Sequence, residues 1–197
     1  DHLQVDKQGD VWCITYDGKA FRFDKRMEAF TEVAANGAEK DLVITSILPL
    51  DNGTVWLLTD KNGGIRVVPD RKTGTLASKV YLSTASKEKG TAIKTVFLDK
   101  KNREWLLTKD GLLCIEGNNG KQTPFFVNTH PESGRPNQSF FSAAFVNGHV
   151  YFTSNKGRVW KYSLKDETFE LKDLGLQDDV ISIRELSGGK VIMATRR

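Results

Sequence analysis

Few residues of this 197-residue chain combine the type and spacing that chemistry needs. The three histidines, His2, His130 and His149, stand apart, with no Cys or His partner at metal-ligand spacing, so no metal site is expected. No Ser-His-Asp arrangement, P-loop or glycine-rich nucleotide loop occurs. The adjacent carboxylates Asp178 and Asp179 could share acid–base work, but they open a short strand, where a turn- or loop-capping role is commoner. The cysteines Cys13 and Cys114 fall at different positions of different repeats. A disulfide needs Cα atoms within about 7 Å, so free thiols are expected. No catalytic residue and no cofactor is expected.

The best ligand candidates lie in one long connection, Asn128-Thr129-His130-Pro131-Glu132-Ser133-Gly134-Arg135-Pro136-Asn137-Gln138. His130, Glu132, Arg135, Asn137 and Gln138 suit a polar, sugar-like ligand, and Pro131 and Pro136 stiffen the loop that carries them. An ordinary surface connection is the competing reading. The tryptophans read differently. Trp12, Trp56 and Trp105 recur at one repeat position and are expected in the core, and Trp160 alone is out of that register.

What positions this loop is a repeat. Gly9-Asp10-Val11-Trp12-Cys13-Ile14-Thr15, Gly53-Thr54-Val55-Trp56-Leu57-Leu58-Thr59, Asn102-Arg103-Glu104-Trp105-Leu106-Leu107-Thr108 and Gly148-His149-Val150-Tyr151-Phe152-Thr153-Ser154 are copies, and Gly189 to Thr195 is a weaker fifth. The large residue falls at 12, 56, 105, 151 and 192, a mean spacing of 45. Each copy is preceded by an apolar strand with a small hydroxyl residue (Ser46, Thr95, Ser142, Ser182). It is followed by a glycine turn, such as Asp17-Gly18 or Asp110-Gly111, and then by two more strands. These strands are named a, b, c and d, with the tryptophans on b.

Strand b is apolar at nearly every position, which implies burial on both faces, whereas strand d alternates as an outer strand does. Four-strand units at this spacing predict an all-β fold, a β-propeller fragment of about four blades. The blades are expected at about 1–40, 41–90, 91–138 and 139–179, with part of a fifth at 180–197. The chain opens late in a strand a and stops after a strand b. This predicts a piece of a larger, seven-bladed ring, whose open end blades would self-associate by burying apolar faces.

Hydrophobic residues make up 39% and charged residues 27%, as in globular domains, and no apolar run approaches the roughly 20 residues of a membrane span. The net charge of +4 is scattered through loops, as at Lys87-Glu88-Lys89, so neither a nucleic acid nor a membrane is expected as a partner of this segment.

Two copies carry a more specific pattern. Asp51-Asn52-Gly53-Thr54-Val55-Trp56-Leu57-Leu58-Thr59 and Asp99 to Leu112 resemble the D-x-x-G-x-[IL]-W-[IL]-G-T-x-x-G-L repeat of two-component regulator propellers. Leu58 and Leu107 replace the glycine before the threonine, and the first copy is one residue short between Asp51 and Gly53. The resemblance implies a periplasmic sensor region of a Bacteroides-type hybrid histidine kinase. In such a protein one transmembrane helix leads to a kinase, a receiver and a DNA-binding module, and the ectodomain senses oligosaccharides released from polysaccharides. A propeller binding module without a kinase, secreted or periplasmic, and a propeller lyase or glycosidase remain alternatives.

Overall fold

Glycine- and aspartate-rich turns cut the chain into short strands, and each run of four strands closes into one antiparallel sheet in sequence order. The computed structural model describes residues 2–34, 43–60, 63–81, 92–117, 120–126 and 138–196. Among these there are strands and a single 3-10 turn at Ser187–Gly189, with no α-helix. The chain divides into two units, Asp1–Val96 and Phe97–Arg197.

The first unit holds two sheets. One is β1 (Leu3–Val5), β2 (Val11–Ile14), β3 (Ala20–Asp24) and β4 (Ala29–Glu32), and the other is β5 (Ile44–Pro49), β6 (Val55–Thr59), β7 (Gly64–Pro69) and β8 (Leu76–Tyr81). Between them lies a core that includes Trp12, Ile14, Ile47, Val55, Leu57, Ile65 and Val67. Every residue of β6 is buried, as two-sided burial of a b strand requires. The outer strand β4 is largely exposed.

The boundary between the units falls within β9 (Ile93–Leu98), which opens a third sheet with β10 (Glu104–Thr108), β11 (Gly111–Glu116) and β12 (Lys121–Phe125). The fourth sheet is β13 (Phe140–Val146), β14 (His149–Ser154), β15 (Arg158–Ser163) and β16 (Phe169–Asp173), and β17 (Val180–Glu185) pairs with β18 (Val191–Thr195). Trp105 anchors the second core, with ring centroids of Tyr162 at 5.0 Å, Phe152 at 5.1 Å and Phe125 at 5.5 Å. As expected, Trp12, Trp56 and Trp105 are all fully buried. Trp160, on β15, is half-buried and packs on Phe126 at 4.4 Å. Both cysteines are free, Cys114 buried and Cys13 half-buried.

The a–b hairpins share one closure. The N–H of Asp6, Leu50, Asp99 and Leu186 donates to the carbonyl of Asp10, Thr54, Arg103 and Lys190, at 2.8 to 3.0 Å. Within the loops, Gly9 and Gly53 take φ near 85° and Asn102 takes 58°, a left-handed position that glycine and asparagine tolerate best. This register corrects one alignment. Leu50, not Asp51, stands where Asp6 and Asp99 stand, so the second hairpin lacks the repeat carboxylate rather than a residue.

Strand a carries a further device. The ladder shifts between Ile44 and Ser46, between Phe140 and Ser142, and between Val180 and Ser182. Each recurring serine therefore follows a β-bulge, which bends the strand.

Candidate functional site

Four of the expected ligand residues, His130, Glu132, Arg135 and Asn137, lie outside the described residues. Gln138 is described, at the base of that loop. Its Nε2 donates to Ser154 Oγ and, at 2.6 Å, to Asn155 Oδ1, both at the b–c turn of its own sheet. The neighbouring Ser139 Oγ donates to the carbonyl of Lys109, at the b–c turn of the preceding sheet.

The same fastening recurs at two other entries into strand a among the described residues. In the first unit Ile44 N donates to Gly18 O and Asp60 N donates to Val43 O at 3.2 Å. In the second, Gly157 N donates to Asp178 O at 2.7 Å, Lys156 N to Asp179 Oδ1 at 3.2 Å, and Arg196 N to Asp179 O. Asp178 and Asp179 therefore cap a turn. Each of these three connections is pinned at its base to the b–c turn before it and the one after it.

In the first unit this junction opens into a cavity of about 460 Å³ lined by His2, Ile14, Thr15, Tyr16, Gly18, Val43, Ile44 and Thr45. Its walls are mainly apolar, and the Tyr16 ring is fully exposed beside a partly exposed Val43. An exposed ring with threonine hydroxyls around it can stack a ligand ring and hydrogen-bond its edge. His149 sits elsewhere, on the fourth a–b hairpin, with Nδ1 at 2.9 Å from the carbonyl of Asn147. Among the described residues no group of three or more His, Cys, Asp or Glu could hold a metal ion.

Buried charge is concentrated at the hairpins. In the first unit Arg22 is fully buried on β3, opposite Trp12. Its Nη2 lies 2.7 Å from Asp10 Oδ2 and 2.8 Å from Asp24 Oδ2. Arg71 adds bonds to Asp10 Oδ2 at 2.8 Å and Asp6 Oδ2 at 3.1 Å. Burial pushes the Asp10 carboxyl up, but bonds from Arg22 and the Lys25 N–H, with the charges of Arg22 and Arg71, hold it below the ordinary aspartate value. Burial likewise opposes ionisation of Asp24, and the N–H groups of Met27 and Arg26 with the Arg22 charge prevail, so its pKa is also lowered.

In the second unit Asp99 Oδ1 accepts the N–H groups of Lys101 and Arg103, while Oδ2 accepts Trp105 Nε1 and Arg103 Nε. Arg103 also bonds Tyr162 Oη at 3.2 Å and Glu167 Oε1 at 3.0 Å. Beside it is a cleft of about 220 Å³ lined by Arg103, Trp105, Cys114, Glu116, Lys121, Thr123, Phe125, Tyr162 and Glu167. The aspartate six residues before Trp12 and before Trp105 was the available signal for these hairpins. The arginines carry no such mark, because Arg22 and Arg71 meet Asp10 from 12 and 61 residues away.

These strands and their order are those of a β-propeller fragment. No family model matches the chain, and no curated protein matches it. Solved structures do. The chain is similar to a streptogramin B lyase, with 16% identity and a TM-score of 0.62 over 97% of this chain and 60% of the lyase. It is similar to the extracellular domain of a hybrid two-component system from B. thetaiotaomicron, with 15% identity and a TM-score of 0.52 over 98% of this chain and 30% of that one. It is also similar to PorZ, a surface component of the type-IX secretion system of Porphyromonas gingivalis, with 12% identity and a TM-score of 0.60 over 93% of this chain and 29% of PorZ. The chain thus spans less than two thirds of each. At these identities the likeness is one of fold. Among the described residues no helix is long and apolar enough to cross a membrane.

Proposed function

We propose that this chain is a segment of the periplasmic, ligand-sensing ectodomain of a hybrid two-component regulator, and that the complete ectodomain binds an oligosaccharide. The observation that carries the reading is the double fastening at the base of the described d–a connections, with the Tyr16 cavity beside one such base. Loops held this way are where propellers vary their ligands without altering the blades. The tryptophan repeat and the fold shared with a hybrid-system extracellular domain support the sensor class. Ligand contacts are assigned to His130, Glu132, Arg135, Asn137 and Gln138, and to Tyr16. The end blades are also assigned to self-association, which light scattering at micromolar concentration would reveal as species larger than the monomer.

The test is calorimetric titration of the complete ectodomain with a panel of polysaccharide fragments. Saturable binding is expected, weakened about tenfold or more by Tyr16→Ala. Binding by no fragment, or a parent gene that ends without a transmembrane helix and a kinase, sinks the reading. A second reading, a propeller lyase, is favoured by the likeness to the streptogramin B lyase. Turnover of a ligand by the complete ectodomain would establish it instead.

A further inference from the structure

In a four-stranded antiparallel sheet the a–b and c–d turns leave at one end of the strands, and the b–c turn and the d–a connection leave at the other. The candidate ligand loops use the second end. At the first end, the c–d turn of one sheet reaches the a–b hairpin of the sheet before it, once in each unit.

In the first unit the turn between β7 and β8 places Arg71 on the first hairpin. Its Nη1 lies 2.8 Å from Asp10 Oδ2, and its Nη2 lies 3.1 Å from Asp6 Oδ2 and 2.9 Å from Gln8 Oε1. Gly74, from the same turn, accepts Arg22 Nη1 at its carbonyl. In the second unit the turn between β15 and β16 places Glu167 on the third hairpin, 3.0 Å from both Lys101 Nζ and Arg103 Nη1. The polarity is reversed: a cation meets two carboxylates in one unit, and a carboxylate meets two cations in the other. Burial differs as well. The Asp6 and Asp10 side chains are each 2% exposed, whereas those of Lys101 and Glu167 are 46% and 56% exposed. Salt screens exposed pairs far more than buried ones.

The backbone adds a second, independent sign that Glu167 is kept for its side chain. The residue closing the c–d turn has positive φ in three sheets: Glu28 at 50°, Gly74 at 77° and Glu167 at 56°. Glycine holds that conformation freely, and glutamate holds it at a cost. Relaxing the turn with glycine would remove the contacts to Lys101 and Arg103.

We propose that these c–d turns are electrostatic latches that hold the preceding a–b hairpin shut, and that salt releases the latch of the second unit but not that of the first. The latches act at the strand ends away from the candidate ligand loops and do not depend on the sensor reading.

The test is hydrogen exchange of the full chain, read by NMR at about 0.05 M and about 0.5 M NaCl. The reporters are the amides of Asp6 and Asp10 in the first hairpin and of Asp99, Asn102 and Arg103 in the third. Added salt is expected to speed exchange of the third hairpin about threefold or more and to change the first by less than about 1.5-fold. Glu167→Gly is expected to speed the third hairpin about threefold at low salt and to abolish its salt response, even though it relaxes the turn. Glu28→Gly makes the same relaxation in the first sheet and is expected to speed neither hairpin. Arg71→Met is expected to speed the first hairpin about tenfold at either salt. Equal salt responses of the two hairpins would overturn the latches. So would exchange in Glu167→Gly no faster than in the parent, or parental exchange of the first hairpin in Arg71→Met.

Discussion

The indole Nε1 of Trp105 donates to Oδ2 of Asp99 at 2.9 Å, and Trp12 makes the matching bond to Asp6 at 3.1 Å. The repeat aspartate thus ties the a–b hairpin to the ring that anchors its blade. Asp99→Ala strands four donors at once: the indole, Arg103 Nε and two backbone N–H groups. A loss of about 3–5 kcal/mol is expected in urea unfolding followed by tryptophan fluorescence. Asp99→Asn keeps one acceptor oxygen and is expected to cost less. A loss below about 1 kcal/mol in the alanine variant would refute the role given to this bond.

Arg22 is the equivalent keystone of the first unit. Arg22→Met leaves Asp10 and Asp24 as buried carboxylates with one strong partner removed, and about 3–5 kcal/mol of stability is expected to go. Arg22→Lys is not expected to rescue it, since one ammonium cannot reproduce the fork that meets both carboxylates. Chemical denaturation of the three proteins decides the point, and a lysine variant as stable as the parent would contradict it.

How these sites relate to the sequence differs residue by residue. The blades were legible because tryptophan recurs on a strand buried on both faces, and only a sheet between sheets needs that pattern. The bulge before Ser46, Ser142 and Ser182 left no mark beyond the serine itself, since a bulge is an event of pairing and not of composition. Leu50 was misaligned because Asp51 beside it satisfies the pattern by type while lying one residue off in the hairpin. Arg22 reads as an ordinary polar residue of a strand, and only the fold brings Asp10 and Asp24 to it, whereas Arg103 meets Asp99 within one hairpin and, of these carboxylates, only Glu167 comes to it from far along the chain. The loop from Asn128 to Asn137 stood out by length and composition, and its geometry falls outside the described residues.

Acid should act through the same pair in the first unit. Asp10 and Asp24 have folded pKa values below the unfolded value of 3.8, so the unfolded chain takes up protons first as pH falls. Their stabilisation is complete above about pH 5 and is lost as pH drops through the folded values. In Arg22→Met burial is no longer opposed by that charge, so the acid-dependent loss should shrink. Melting temperatures from about pH 6 to 3 measure it, and identical slopes in parent and variant would rule the pair out as the cause.

Two glycines of like backbone conformation should respond unequally to alanine. Gly157 has φ +64°, and an added Cβ would lie 2.7 Å from the Leu176 Cβ and carbonyl oxygen. Gly53 has φ +85° with nothing within 4 Å. Gly53→Ala should cost about 1 kcal/mol, the price of the left-handed conformation alone. Gly157→Ala should cost about 2–4 kcal/mol, because the backbone that fastens Gly157 N to Asp178 O must shift. Equal losses for the two would show that this junction gives way freely.

Alkali should act on the second unit through Cys114. Burial pushes its thiol up to about 12, with the Arg103 charge opposing and nearby carboxylates adding to the shift. Between pH 9 and 12 the unfolded chain therefore loses a proton that the folded chain keeps. Stability should fall as pH rises through that window, by up to about 1.4 kcal/mol per pH unit from this group. Burial raises Tyr162 as well, so a shallower slope should persist above about pH 10 after Cys114→Ala. In the native protein the buried thiolate scarcely forms, and Ellman's reagent should modify half-buried Cys13 well before Cys114. Equal rates for the two thiols, or an unaltered alkaline slope in Cys114→Ala, would remove Cys114 as the group responsible.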